Sequence, residues 1–333
     1  MAKQWTAQEV LNVARSFQPA CVLTAAAFLD IFSSLHEKPM TAQALASELG
    51  INPRATTILL DALTAMELLT KKDSRYSVPE DVAILLTEKS DNNVLSMVRH
   101  LGNCLRRWAC LSEVTQTGKP AERCPSIRGK EADQADFISG MHNICRPIAA
   151  EVVDKLQPLK FCHLLDIGGA SGTWTIAFLR AVPEARATLF DLPSVISMAE
   201  RRIAEAGLGD RVALVAGDFY TDDLPDGADM AWLGAVCHQN SREKNRALFV
   251  KVHKALKDGG VVVVRDVVMD PSRISPEGGA LFAINMLVAT EGGGTYTFDE
   301  YSQELCEAGF GEVKLVYRDE LMNSLIRAKK AQK

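Results

Sequence analysis

Three aspartates close successive apolar runs in the second half of this chain, and a glycine turn follows the first of them. In Leu164-Leu-Asp-Ile-Gly-Gly-Ala-Ser-Gly172 an apolar run enters the turn, and Thr173–Arg180 reads as a helix leaving it. Glycine lets the backbone approach a ligand closely, and a helix start offers free N–H groups. A dinucleotide fingerprint needs G-x-G-x-x-G, but counted from Gly168 the later positions hold Ala170 and Thr173, which argues against a nicotinamide dinucleotide. Asp166 stands at the turn itself. A carboxylate there opposes a pyrophosphate and suits a cofactor bearing ammonium and sulfonium charges, so Asp166, Gly168 and Gly169 are candidate cofactor residues. Asp191, in Thr188-Leu-Phe-Asp-Leu-Pro193, follows where nucleotide folds place an acid for ribose hydroxyls, with Leu192 beside it. In Ala216-Gly-Asp-Phe-Tyr220, Asp218 offers an acceptor for an adenine amino group and Phe219 a ring to pack on the base.

A second kind of chemistry is available at Cys237-His-Gln-Asn-Ser241. Histidine is the residue type suited to removing a proton from an acceptor, and His238 is the candidate here. It follows the apolar run Met230–Val236, and ligands of α/β sheets gather at the carboxyl ends of strands. A structural histidine is the competing interpretation.

These groups need a scaffold, and the texture after Pro158 supplies one. Strands are predicted at His163–Ile167, Ala187–Phe190, Val212–Ala216, Met230–Leu233, Val261–Asp266 and Val313–Tyr317, with helices between most of them. That alternation predicts an α/β fold, a doubly wound Rossmann-like parallel sheet. The front of the chain reads differently. Helices are predicted at Gln8–Ala14 and Ala20–His36, at Thr41–Gly50 between a Thr cap and a Gly stop, and from the Asn52-Pro53 cap to Met66. A hairpin follows at Leu68–Val78. Helix, turn, helix and hairpin is a winged-helix-like order, whose familiar use is DNA reading. The second helix, however, sets one basic residue, Arg54, against Asp61 among Ala, Leu, Ile and Thr, so phosphate contacts would be nearly absent. Dimerisation or substrate gating is preferred. From 91 to 157 the chain again reads helical, broken at Thr117–Lys130, with Phe137 and Met141 on one helix face together with Ile144 or Ile148. Core packing and a substrate-pocket wall, shared with Trp108, are the two interpretations of that stripe.

The order of these motifs resembles the small-molecule O-methyltransferases of the caffeate, hydroxyindole and bacterial polyketide type, over nearly the whole chain. The resemblance implies S-adenosylmethionine (SAM) as cofactor, with Gly168, Asp191, Asp218 and Phe219 among its contacts. It implies His238 as general base and Asp266, in Val264-Arg-Asp-Val-Val-Met-Asp270, as the acid that orients it. Family members follow this His with Asp and Trp, whereas Gln239 and Asn240 stand here. Thr295 takes the place of a second family acid, which leaves Glu291 open between a candidate catalytic carboxylate and a solvated loop glutamate. Ala283-Ile-Asn-Met-Leu287 resembles the family helix that contacts substrate, implying Asn285 and Met286, and Glu291-Gly-Gly-Gly294 would permit a mobile loop. The implied plan is a winged-helix-like dimerisation domain over 1–90, a helical linker and pocket segment over 91–157, and a SAM-binding domain over 158–333.

Composition narrows the partners. Of 333 residues 47% are hydrophobic, ample for two cores, and a net charge of −5 gives no global positive field for nucleic acid or anionic membranes. No apolar run is long enough to span a bilayer, and MAKQWTAQEV lacks a signal-peptide pattern, so a cytosolic location is expected. Eight cysteines without a C-x-x-C pair suit small buried thiols better than zinc, and no metal is expected. The expectation is a cytoplasmic homodimer that methylates a hydroxyl of a small aromatic or polyketide-like molecule. Its rivals are an N- or C-methyltransferase, a proximity-driven methyltransferase, a ligand-sensing winged-helix regulator and, more distantly, a dehydrogenase.

Overall fold

The computed structural model describes residues 3–332, which form two compact units: residues up to Arg106 together with Arg123–Ile144, and Arg107–Glu122 together with the chain from Cys145 onward.

In the first unit, local chemistry sets the helix ends. Thr6 and Glu9 form a reciprocal capping box on helix Ala7–Arg15. Thr41 caps Ala42–Leu49 by accepting from Ala44 N at 3.2 Å, and Gly50 ends that helix in the left-handed region. Asn52 caps Pro53–Ala65 by accepting from Ala55 N at 3.0 Å. A three-stranded sheet joins β1 (Met40–Thr41), β2 (Thr70–Lys72) and β3 (Arg75–Ser77) in the order β1-β3-β2. The helix predicted over Ala20–His36 is two helices, Phe17–Phe28 and Ile31–Glu37, because Asp30 turns left-handed at φ 56° between them. The Asp30 carboxylate pairs with Arg99, a fully buried guanidinium that also donates to the Ala27 carbonyl (3.0 Å), Glu88 (3.1 Å) and Asp136 (3.3 Å). The stripe on helix Lys130–Cys145 is not core: Phe137 is 45% and Ile144 41% exposed.

The second unit is built on β4 (His163–Ile167), β5 (Arg186–Asp191), β6 (Val212–Ala216), β7 (Ala228–Gly234), β8 (Leu256–Asp266), β9 (Val268–Met269), β10 (Tyr296–Thr297), β11 (Phe310–Tyr317) and β12 (Ser324–Lys330). Strands β9 and β10 pair separately; the other seven form one sheet in the order β11-β12-β8-β7-β4-β5-β6. Period-2 alternation puts Leu165, Ile167, Ala231, Leu233, Val262 and Val264 in one core and Leu164, Met230, Trp232 and Val263 in the other, so both faces are buried. The sheet is mixed, which corrects the all-parallel expectation: β12 inserts antiparallel between β11 and β8, pairing Ser324 with Asp266 and Lys329 with Val261. From β4 the chain proceeds outward through β5 and β6, then returns to β7 on the other side of β4. The switch point, where such sheets hold ligands, is therefore the crevice at the carboxyl ends of β4 and β7. Among the described residues no single helix is long and apolar enough to cross a membrane.

Candidate active site

The turn after β4 and the turn after β7 meet across the switch point. Gly168 has φ +68°, and a Cβ built on it would lie 3.1 Å from Val236 Cγ2 and 3.8 Å from Phe219 Cε1. Glycine is required here by conformation and by closeness together, so the bare backbone is what the crevice presents. Gly169 differs. It is buried, and a Cβ would strike Leu189 Cγ at 2.6 Å and Asp166 Cγ at 2.9 Å, so its missing side chain serves packing rather than approach to a ligand. Asp166 lies beneath the turn instead of facing the crevice. It is 1% exposed and accepts from Thr175 Oγ1 at 2.5 Å, and burial pushes its carboxyl up to about 7.

Asp191 ends β5 with its carboxylate fixed from two sides, by the N–H of Ala170 on Oδ2 (2.7 Å) and its neighbour Leu192 on Oδ1 (2.7 Å). Burial raises its pKa against these two bonds. Each oxygen retains a lone pair for a further donor, which is what a ribose diol requires. After β6, Asp218 Oδ1 accepts from Tyr220 N (2.8 Å) and Asp222 Oδ2 from Asp218 N (2.8 Å), folding 218–222 into a tight loop. The ammonium of Lys251 clasps it from helix Arg242–Ala255, donating to the carbonyls of Phe219 (2.9 Å), Tyr220 (2.9 Å) and Asp222 (2.8 Å). The glycine turn, an oriented carboxylate and an aromatic beside an acid fit an adenosyl cofactor.

His238 stands on a 3-10 turn, Cys237–Gln239, rather than at the end of the strand, which stops at Gly234. Asp266, 1% exposed at the end of β8, holds it twice: Oδ1 lies 2.9 Å from His238 Nδ1 and Oδ2 accepts the His238 backbone N–H at 3.0 Å. A carboxylate only accepts, so Nδ1 carries the hydrogen and Nε2 is the basic nitrogen. The ring meets Phe282 edge to face at 4.9 Å. Phe282, Asn285 and Met286 share one face of helix Glu277–Ala289 by their i, i+3, i+4 spacing, and Asn285 Oδ1 accepts from Trp108 Nε1 at 2.9 Å. Met286 is buried, whereas Asn285 and Trp108 keep partial exposure. Phe137 and Met141 lie in the first unit, where Phe137 packs on His100 at 4.8 Å.

Several expectations need revision. Glu291 is exposed, as a solvated loop glutamate would be, and the Nδ1 partner of His238 is Asp266. Thr295 is buried and donates to the Gly279 carbonyl (3.3 Å). The glycine run is docked, not free: Gly294 N–H donates to the His238 carbonyl (2.8 Å), and a Cβ on Gly293 would lie 2.6 Å from that same oxygen. Of the eight cysteines only 104, 145 and 237 are buried, so the small buried thiols expected are the minority. Sequence reasoning missed Phe282, signalled by its helical spacing to Asn285 and Met286, and missed Tyr220, Asn245, Lys251 and Tyr296, for which no local signal exists.

Comparisons with known proteins show the family. A family profile described as the O-methyltransferase domain matches residues 124–311, and one described as the O-methyltransferase dimerisation domain matches residues 11–88. The chain is 30% identical to a 3-hydroxy-5-methyl-1-naphthoate 3-O-methyltransferase of Streptomyces sahachiroi, over 88% of this chain and 86% of the relative. It is also 30% identical to the tetracenomycin polyketide synthesis 8-O-methyl transferase TcmO of Streptomyces glaucescens, over 92% of each. Human N-acetylserotonin methyltransferase, solved in complex with SAM, superposes with a TM-score of 0.83 at 25% identity over 100% of both chains. The chain belongs to this family of SAM-dependent O-methyltransferases, enzymes with a dimerisation domain ahead of the cofactor domain.

Proposed function

We propose that this enzyme methylates a hydroxyl group of a small aromatic or polyketide-like molecule, with His238 as general base. The observation that carries the reading is the double hold of Asp266 on His238, which fixes ring, tautomer and backbone of one imidazole at the switch point. When bound, SAM supplies an electrophilic methyl on a positively charged sulfur. Gly168, Asp191 with Leu192, and Asp218 with Phe219 would hold it. His238 Nε2 would take the acceptor's hydroxyl proton, and Asp266 would stabilise the imidazolium formed. Trp108, Asn285 and Met286 are the proposed acceptor-lining residues. Domain limits of 1–90, 91–157 and 158–333 are part of the same proposal.

The matched dimerisation domain supports a homodimer, and five exposed cysteines outside any disulfide suit a reducing, cytosolic compartment. The two Streptomyces relatives, named for a hydroxynaphthoate and a tetracenomycin polyketide, support the acceptor class. Incubation with labelled SAM and a panel of phenols, hydroxynaphthoates and aromatic polyketides, with mass spectrometry of the products, tests it. O-methylated product that falls at least 100-fold in rate in His238→Ala is expected. Methyl found on nitrogen or carbon overturns the acceptor assignment, and near-intact turnover in His238→Ala overturns the base.

A further inference from the structure

Asn240 occupies the position where the resemblance places a Trp, and it is 0% exposed. Its Oδ1 accepts from the Tyr220 hydroxyl at 2.5 Å, and its Nδ2 donates to Asn245 Oδ1 at 3.0 Å. Asn245 Nδ2 in turn donates to the Cys237 carbonyl at 3.1 Å, one residue before the base. The backbone carbonyl of Asn240 accepts from the Tyr296 hydroxyl, just past the glycine run whose Gly294 N–H bonds the His238 carbonyl. One buried residue thus joins three segments: the loop 218–222 and helix Arg242–Ala255 through its side chain, and Tyr296, just past the glycine run, through its backbone carbonyl. Indole has a single donor and no acceptor, so a Trp side chain could not accept from Tyr220 as the Asn240 amide does.

The loop end of this connection is stiff. With Lys251 bonded to three of its carbonyls, loop 218–222 moves as a piece, and a ligand that packs on Phe219 displaces or fixes the neighbouring Tyr220 as well. Phe219 and Tyr220 rings are themselves in contact, 4.5 Å between centroids. A buried amide cannot lose one partner without a desolvation cost, so a shift at Tyr220 is passed to Asn240 rather than absorbed by water.

We propose that Asn240 and Tyr220 are positioning residues that couple cofactor occupancy to the order of the base turn: a filled adenosyl site fixes the loop, and the loop fixes the backbone that carries His238. The proposal rests on placing the cofactor at Asp218 and Phe219. It makes the Gln239-Asn240 departure from the family pattern a substitute brace rather than a defect in the base.

Hydrogen-exchange mass spectrometry on the full chain tests this without an acceptor, using S-adenosylhomocysteine as probe. In the wild type, saturating probe is expected to slow amide exchange both in 217–222 and in 235–241. Tyr220→Phe, which removes one hydroxyl from a half-exposed ring, is expected to keep the first effect, to lose at least two thirds of the second, and to bind the probe three- to tenfold more weakly by calorimetry. Asn240→Ala is expected to do the same. Full slowing at 235–241 in Tyr220→Phe, with probe affinity within twofold of wild type, overturns the coupling. No slowing at 217–222 in the wild type overturns the cofactor placement first, and the coupling with it.

Discussion

Asp266 grips His238 at two points, side chain at 2.9 Å and backbone N–H at 3.0 Å, and its Oδ1 accepts a third N–H from Val267 at 2.8 Å. Three donors on one buried carboxylate leave it no freedom to rotate, so the imidazole inherits a single orientation. Asp266→Asn replaces an acceptor by an NH2 group that faces either an N–H or the ring. The expected result is a kcat lower by roughly 10²–10⁴ with SAM affinity within about twofold of wild type. Single-turnover rates with labelled SAM, alongside calorimetry, measure both; a rate that survives would remove Asp266 from the mechanism.

Two glycines with nearly the same backbone separate conformational strain from space. Gly168 (φ +68°) has Val236 and Phe219 in front of it, whereas Gly50 (φ +65°) has nothing within 4 Å. Alanine in the left-handed region costs about 1–2 kcal/mol at either site. Only at 168 does the added methyl also enter the crevice. Gly168→Ala is expected to weaken SAM binding at least tenfold, and Gly50→Ala to lower stability by the same strain while leaving SAM binding unchanged. Equal effects on SAM binding would show that the glycine turn is not a ligand cradle.

What could be read from the sequence was local. Caps at Thr41 and Asn52, the glycine turn at 168–172 and strand-end acids each lie within a few residues of the feature they define, and the structure places them as elements and turns accordingly. Strand β12 escaped because its buried residues, Ser324, Leu325, Ile326 and Ala328, open with three in a row instead of alternating, with Arg327, Lys329 and Lys330 among and beyond them; only pairing with β8 makes it a strand. The docking of Gly293 and the brace at Asn240 depend on partners 50 or more residues away in part, at 238 and at 296. Asp166 misled for a related reason. Its place beside the turn was visible, but whether it faced the crevice or the core depended on Thr175, nine residues on, and on Gly169 closing over it.

The Trp108–Asn285 bond offers a test of the acceptor side. Asn285→Ala leaves the indole N–H without its partner, a loss of about 1 kcal/mol, and reshapes the helix face that carries Phe282. With an active acceptor from the labelled-SAM panel, KM for the acceptor is expected to rise about five- to tenfold while the SAM dissociation constant stays fixed. A change confined to SAM binding would place Asn285 on the cofactor side instead.

In the first unit, Arg99→Ala should be far more damaging than a surface Arg substitution. The guanidinium is buried and neutralises Asp136, itself almost fully buried and raised in pKa by desolvation against the pull of Arg99. Breaking one partner of a buried pair costs about 3–5 kcal/mol, and Arg128, 3.5 Å from the other Asp136 oxygen, offsets only part of that loss. Chemical unfolding of Arg99→Ala beside Arg54→Ala, an exposed helix position, measures the contrast; similar small losses from both would deny the cluster its structural role.

Asp166 gives the enzyme a stability that depends on pH with a definite sign. Burial lifts its carboxyl from 3.8 to about 7, against the Thr175 bond that favours the charge and with the nearby Asp191 adding to the rise. Below about pH 3.8 folded and unfolded chains both hold this proton, and the contribution of the neutral buried group is fully present. Between 3.8 and about 7 the unfolded chain has released the proton and the folded chain retains it, so stability falls by about 1.4 kcal/mol per pH unit. Above about 7 both states are ionised and the loss levels off. Asparagine accepts from Thr175 in the same place and does not titrate. The unfolding free energy of Asp166→Asn, relative to wild type and without cofactor, is therefore expected to climb by a few kcal/mol from pH 4 to 7 and then to stay level to pH 8.5. Denaturant titrations of both proteins at half-unit intervals give the difference directly. Parallel curves across that range would mean that the carboxyl ionises at its ordinary value, and that the space beneath the glycine turn is wetter than its 1% exposure implies.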